Sequence, residues 1–347
     1  MTHPIAIATS SQTHTLQPHI FAHTSPEKTH LTPPPITKNQ PMAPVLIFGP
    51  TGQIGSYATQ TAAALGAEVC LAMRNPSKPI PNFDPSNAIR LQADLDDPRS
   101  VKSAAQTSGA RRAFLYLSHG CSDNMRATFE ALKAGGVDFV VFVSSFTIFT
   151  DRALRETLAK ELIPYVHAQA EANLREVFGC DGYGYVALRP GTFVSNLLQY
   201  RKGIVAGRVG LYGGGFLQDN VVPADIGRVA GRLLIEGARE GEREVYVYGP
   251  EVLSMRETVV RIGRALGREV EVVELGREEA YVTFVKSGMP ELLAEYMCEV
   301  LSTQGPIKGE GGSFPKYDEG VRNVELYTGK PATSLEEWSR QNVAMLS

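Results

Sequence analysis

The run Val45-Leu46-Ile47-Phe48 leads directly into Gly49-Pro50-Thr51-Gly52-Gln53-Ile54-Gly55. Four apolar residues rich in β-formers meet three glycines spaced G-x-x-G-x-x-G, and an Ala/Thr-rich helical pattern follows from Ser56 to Leu65. A strand, a tight turn and a helix start are thereby predicted in the order a dinucleotide-binding glycine loop requires. Gly49 permits the sharp turn, Gly52 removes a Cβ where backbone approaches a pyrophosphate, and Gly55 lets the helix pack closely on the strand. The helix start adds free N–H groups and the positive end of its dipole. Thr51, Gln53 and Ile54 complete the loop and count with the glycines as cofactor contacts. A glycine turn without ligand is the competing reading. The strand before, the helix after and a second strand at the right distance favour the nucleotide.

That second strand reads Glu68-Val69-Cys70-Leu71-Ala72-Met73-Arg74. NAD-selective sites carry an acid about 20 residues after the loop, where it accepts from the ribose 2′-OH. Here Arg74 stands nineteen positions beyond Gly55, with Lys78 close behind. A carboxylate would repel a 2′-phosphate, whereas a guanidinium binds it bidentately. NADP(H) is therefore the expected cofactor, against a solvated surface role for Arg74. Asp94, after the third predicted strand, is a candidate near the adenine; capping of the helix beginning near Pro98 falls better to Asp96 or Asp97.

A chain of 347 residues can bury a large core. Its net charge is −3 and it has no basic run interleaved with aromatics, which argues against nucleic acid. No apolar stretch approaches a membrane span. Cys70, Cys121, Cys180 and Cys298 are scattered, as expected of reduced thiols in a cytoplasmic protein without a disulfide frame or metal site. Residues 1–41 hold five of the seven histidines, Pro33-Pro34-Pro35, one acid and no arginine. They read as a flexible tail; the spacing of His3, His14, His19, His23 and His30 gives no metal scaffold.

Strand patterns near 45–48, 68–73, 88–92, 112–117, 138–144 and 183–188 alternate with helical patterns near 53–65, 98–107, 122–135 and 165–178. Alternation of this kind predicts an α/β fold with a doubly wound parallel sheet, the Rossmann arrangement, over 42–190. Beyond Arg189 the pattern changes. A Gly-rich loop at Tyr212-Gly213-Gly214-Gly215, a helix from Ala224, short strands near 244–248 and 269–274, and further helices predict a smaller α+β lobe over 191–347, interleaved with the first domain. Gly305 to Gly312 reads as a mobile loop. Ligands of doubly wound sheets collect at the carboxyl ends of the strands, so this lobe is expected to cover that edge and bind substrate.

These motifs resemble the NmrA-like group of atypical, extended short-chain dehydrogenases/reductases. The matching pieces are Gly49–Gly55, Met73-Arg74-Asn75-Pro76, Ala93-Asp94-Leu95-Asp96-Asp97-Pro98, Phe142-Val143-Ser144-Ser145, and Ala187-Leu188-Arg189-Pro190-Gly191-Thr192-Phe193 with Asn196. Val222-Pro223-Ala224-Asp225-Ile226-Gly227 and Tyr327-Thr328-Gly329-Lys330-Pro331 with Trp338 complete an ordered set over about residues 44 to 345. The resemblance implies NAD(P)(H) binding and a substrate lobe over the sheet. It does not imply one chemistry: some members reduce quinones, isoflavones, and alkaloid or polyketide intermediates, and others sense the dinucleotide without known catalysis.

The wider superfamily places a Tyr-x-x-x-Lys pair on the helix after strand five and a serine at that strand's end. Tyr165 and Gln169 have that spacing, with glutamine where lysine is expected. Gln169 can hydrogen-bond a ribose hydroxyl but brings no charge. An unassisted tyrosine needs roughly 4 kcal/mol to deprotonate at neutral pH, which argues against Tyr165 as a base but not as a proton donor in reduction. His167 is the alternative, because its reference pKa lies near neutrality; a structural histidine is the competing reading. Ser144 and Ser145 end the strand, and Ser145 is the candidate to orient a carbonyl, against turn formation. Glu171 can orient His167 from one turn away, but reads better as a surface partner of Arg175. Phe193, Asn196 and Tyr212, with Tyr200 and Phe216 beside them, are candidate substrate-lining residues, against ordinary core packing. No metal-ligand spacing or nucleophile elbow is present.

The expected activity is reduction of a carbonyl or conjugated double bond in a small, largely apolar metabolite, with secondary metabolism as one setting. A dinucleotide-sensing regulator and a redox-neutral isomerase or cyclase on the same fold are the alternatives. Either way the ligands are small molecules, with neither nucleic acid nor membrane as partner, and a monomer or homodimer is expected.

Overall fold

The computed structural model describes residues 43–84, 88–148, 150–179, 184–239, 242–303 and 314–346. The expected tail over 1–41, the Gly305–Gly312 loop and Cys180 lie outside the described residues. The described strands are β1 (Val45–Phe48), β2 (Val69–Met73), β3 (Ala88–Gln92), β4 (Arg112–Tyr116), β5 (Phe139–Val143), β6 (Tyr185–Pro190), β7 (Arg208–Leu211), β8 (Leu217–Gln218), β9 (Glu244–Val247), β10 (Leu253–Ser254) and β11 (Glu271–Glu274). The helices are α1 (Gly55–Ala64), α2 (Pro98–Ser108), α3 (Arg126–Ala134), α4 (Leu162–Phe178), α5 (Arg201–Ala206) and α6 (Pro223–Glu236). Beyond them come α7 (Met255–Ala265), α8 (Arg277–Lys286), α9 (Glu291–Ser302), α10 (Tyr317–Thr328), α11 (Leu335–Gln341) and α12 (Val343–Leu346).

Seven strands form one sheet in the order β3-β2-β1-β4-β5-β6-β9. Every neighbouring pair in it is parallel. The continuous apolar runs of β1, β2 and β5 are buried throughout, as strands covered on both faces must be. One face carries Ile47, Leu71, Val141 and Val245 against α1, α6 and α10. The other carries Leu46, Cys70, Leu115 and Phe142 against residues of α2, α3 and α4. The chain reverses its direction of travel across the sheet between β1 and β4. That switch point is where an open α/β sheet forms its ligand crevice.

Several points differ from the sequence reading, and α3, expected from near 122, begins at Arg126. The short strand at Glu244–Val247 is the seventh strand of the main sheet, paired with β6; β6 itself runs on through Arg189 and Pro190. The helix expected from 165 begins at Leu162. Pro164 is tolerated there because first-turn N–H groups have no partner inside the helix.

The C-terminal part has its own core, in which Leu197, Val209, Leu211, Val259, Ile262, Ala294, Cys298 and Trp338 cluster. Parallel β7–β11 and antiparallel β8–β10 are its small sheets. Two glycines of α6 let α1 pack closely against that helix. A Cβ on Gly227 would strike the Ile54 carbonyl and the Tyr57 side chain, and one on Gly231 would strike Thr61 and the Ala58 carbonyl.

Candidate functional site: the carboxyl edge of the sheet

The turn after β1 is built as its glycines require. Gly49 sits at φ +65°, in the left-handed region that side chains with a Cβ disfavour. A Cβ there would also strike the Tyr116 ring. A Cβ on Gly55 would land on the Gly49 carbonyl oxygen, so α1 can start this close to the strand only at a glycine. Gly52 and Gln53 are exposed at the tip, with Thr51 and Ile54 half-buried behind them. No side chain caps α1 and its first turn contains no acid. The Gly52 and Ser56 amides donate to the carbonyls of Gly49 and Gly52; the other amides at the helix start are left to an anion, and this donor set fits a pyrophosphate.

Arg74 follows β2 and is exposed with Lys78. Arg90 on β3 sets the shape of their turn by donating from Nη1 to the carbonyls of Pro76 (2.6 Å) and Lys78 (3.0 Å). Asp94 accepts from the Asp96 amide at 3.2 Å, and Asp97 is the N-cap of α2, accepting from the Arg99 amide. Asp96 has a different task. It accepts from Ser118 Oγ and from Cys121 Sγ, at 3.2 Å for the thiol. Those two bonds, Ser118 first, hold its carboxyl below the usual range, with Arg74 adding to them. Burial, then the Asp96 bond, pushes the Cys121 thiol up to about 11, so it is an inert tether and not a nucleophile. The loops after β3 and β4 are thus tied together. Tyr116, at the end of β4, lies against Gly49 and is 42 % exposed. Sequence reasoning missed Tyr116 and Arg90, because only pairing of β1 with β4 and of β2 with β3 brings them to the turn.

On the other side of the switch point, β5 ends in Ser144 and Ser145. Ser145 Oγ shares a bond with Thr147 Oγ1 at 2.9 Å and accepts the Thr147 amide. Ser144 Oγ is buried without a partner, as is Nδ1 of His167 on α4. Buried polar groups are almost always paired, so two open ones at the carboxyl edge call for a ligand or water. Burial, then the charges of His119 and Arg189, lowers His167 to about 3. The imidazole is therefore neutral at physiological pH. The sequence argument that a near-neutral pKa equips it as an acid does not carry over to this environment.

Gln169 is buried and committed within the protein. Its Oε1 accepts from Arg155 Nη1 at 2.9 Å and its Nε2 donates to the Leu154 carbonyl at 3.3 Å. Tyr165, one turn earlier, is half-buried. Glu171 is not the surface partner of Arg175. It is 2 % exposed and grips Arg189. Among the substrate-lining candidates, Asn196 is exposed, Phe193 and Tyr212 are half-buried, and Phe216 is packed in the C-terminal core. Free thiols are present at Cys70, Cys121 and Cys298. Among the described residues there is no three-ligand metal cluster and no helix long and apolar enough to cross a membrane.

A doubly wound sheet with a glycine turn and an uncapped α1 defines a dinucleotide-binding protein. Comparisons agree. A family model described as NAD(P)H-binding matches residues 49–234. The nitrogen metabolite regulation-like protein bik4 of Gibberella fujikuroi is 31 % identical over 323 residues, covering 86 % of this chain and 96 % of the relative. The (4-alkanoyl-5-oxo-2,5-dihydrofuran-3-yl)methyl phosphate reductase of Streptomyces griseus is 27 % identical over 86 % of this chain and 97 % of its own. The NADPH-dependent quinone oxidoreductase QOR2 of Escherichia coli, solved with NADPH, aligns with a TM-score of 0.66 and 21 % identity, covering 86 % of this chain and 99 % of that one. The chain belongs to the NAD(P)H-binding family, in its NmrA-like branch of atypical short-chain dehydrogenases/reductases.

Proposed function

We propose that this protein is an NADP(H)-dependent reductase acting on a carbonyl or conjugated double bond of a small, largely apolar metabolite, with secondary metabolism as its setting. The observation that carries this reading is the pair of unpartnered buried atoms, Ser144 Oγ and His167 Nδ1, at the edge of the sheet that also bears the glycine turn. The reductase name of the Streptomyces relative supports it. When bound, the nicotinamide supplies the hydride. The glycine turn and the start of α1 hold the phosphates, and Arg74 with Lys78 faces the 2′-phosphate, while Asp94 lies toward the adenine. Ser144 Oγ and the neutral His167 imidazole hold the substrate oxygen by hydrogen bonds, and the Tyr165 hydroxyl donates the proton. Phe193, Tyr212 and Asn196 line the approach from the 191–347 lobe. Ser145 shapes the turn beneath Ser144.

The test is turnover with NADPH over a panel of quinones, enones and ketones, followed by nicotinamide absorbance. Oxidation of NADPH with at least one class supports the reading; intact NADPH binding with no oxidation by any class overturns it. A dinucleotide-sensing regulator is the second reading, favoured by the Gibberella relative's name and by glutamine at position 169. A partner protein released by only one redox form of the dinucleotide would establish it.

A further inference from the structure

Arg155 lies in a short 3-10 turn (Leu154–Glu156) on the connection between β5 and α4. Its guanidinium donates to three side chains on one stripe of α4: Gln169 Oε1 at 2.9 Å, Asn173 Oδ1 at 2.6 Å and Glu176 Oε1 at 2.7 Å. Gln169 returns a bond to the Leu154 carbonyl, so turn and helix hold each other. Asn173 Nδ2 carries the connection onward, donating to the carbonyls of Asp123 (2.9 Å) and Asn124 (3.0 Å) at the entrance to α3. Asn124 and Met125 there have positive φ, and Met125 Sδ accepts from the Ser118 amide. Within the connection, Arg152 Nη1 donates to both carboxylate oxygens of Glu161, which precedes α4.

Three segments border the cleft beyond the switch point: the β4–α3 loop, the β5–α4 connection and α4. The connection and α4 meet at this one guanidinium, and the β4–α3 loop is joined to it through Asn173. The nicotinamide half of a dinucleotide crosses to this side, while the adenosine half stays over β2 and β3. We infer that Arg155 is the positioning residue for the nicotinamide half of the site: it sets α4, with Tyr165 and His167, against the β4–α3 loop without touching the ligand. This rests on the nucleotide-binding reading above. It also accounts for Gln169. The amide at the fourth position after Tyr165 serves as an acceptor for a cation delivered from the loop, and the planar fork of arginine can reach three acceptors at once.

The test is a comparison of two ligands on full-length protein, NADPH and adenosine 2′,5′-bisphosphate, titrated calorimetrically. Arg155→Ala is expected to weaken NADPH about tenfold, the scale of one charge-assisted hydrogen bond, and to leave the bisphosphate unchanged. Arg155→Lys, which keeps the charge but loses the fork, falls between wild type and alanine for NADPH. Should Arg155→Ala not fold, Asn173→Ala cuts the same chain further along and carries the same selective loss. Equal weakening of both ligands, or no change in either, overturns the inference. Wild-type protein that binds neither ligand overturns the nucleotide-binding reading and this inference with it.

Discussion

Arg189 and Glu171 form a bidentate pair inside the fold, Nε to Oε1 at 2.9 Å and Nη2 to Oε2 at 2.6 Å, with side chains 7 % and 2 % exposed. A third donor, Nη1, reaches Tyr246 Oη at 2.9 Å. The pair locks α4 to β6, and Tyr246 on β9 extends the lock to the edge strand of the main sheet. Removing one member of such a pair strands a buried charge, which costs about 3–5 kcal/mol. Glu171→Gln should lower unfolding stability on that scale in urea titration. Glu171→Gln combined with Arg189→Met should recover much of the loss, since no charge is then left buried. A double variant no more stable than the single one would show that the pair contributes through shape alone.

Arg74 tests cofactor choice. It is exposed and outside the core, so its replacement acts on ligand and not on folding. Arg74→Ala should weaken NADPH by about 2 kcal/mol, roughly thirtyfold, the scale of a charge-assisted contact to phosphate. NADH, which lacks the 2′-phosphate, should change little. Dissociation constants for both, from nicotinamide fluorescence, check this; equal losses would remove the phosphate assignment.

Locality separates what could be read in the chain from what could not. The glycine turn was legible because Val45 to Gly55 carries strand, turn and helix start in one contiguous run. The place of Arg74 at the end of β2 was legible through its offset from that run, and the N-cap of α2 through Asp97 before Pro98. Glu171 was misassigned because Arg175 is its neighbour one helical turn away, whereas its actual partner comes from another strand. The same blindness hid Arg155 on Gln169 and Asn173, and Ser118 on Asp96, pairs separated by 14, 18 and 22 positions. Strand β9 looked like an isolated short strand because nothing in Glu244–Val247 says that β6 lies beside it. Partner choice across the fold is a property of topology, and no periodicity encodes it.

His167 gives the acid limb of the stability curve a definite sign. Burial foremost, then His119 and Arg189, puts its folded-state pKa at about 3, below the ordinary histidine value of 6.5. The unfolded chain binds the proton first, so stability must fall as pH drops below about 6.5 and continue falling toward about 3. His167→Gln removes this linkage. The variant's thermal midpoint should therefore decline less than wild type's between pH 6.5 and 4, when both are scanned in one buffer series. Parallel declines would mean that other groups dominate the acid limb and that His167 is already solvated.

Gly231 links the packing of α6 to the nucleotide turn. Its missing Cβ leaves room for Thr61 and the Ala58 carbonyl of α1, and α1 begins at Gly55 beside the amides of the glycine turn. Gly231→Val must push the two helices apart, and overpacking of this kind costs about 1–3 kcal/mol. Because α1 carries the turn, the displacement should also weaken NADPH, although residue 231 lies one helical turn beyond Gly227, which packs on Ile54 at the site end. Gly237, just beyond the end of α6, is the control: a Cβ there meets nothing within 4 Å. Its φ of +79° strains any replacement, so Gly237→Ala should lower stability without changing NADPH affinity. Loss of affinity in Gly231→Val but not in Gly237→Ala, at matched stability, would locate the effect in the seating of α1.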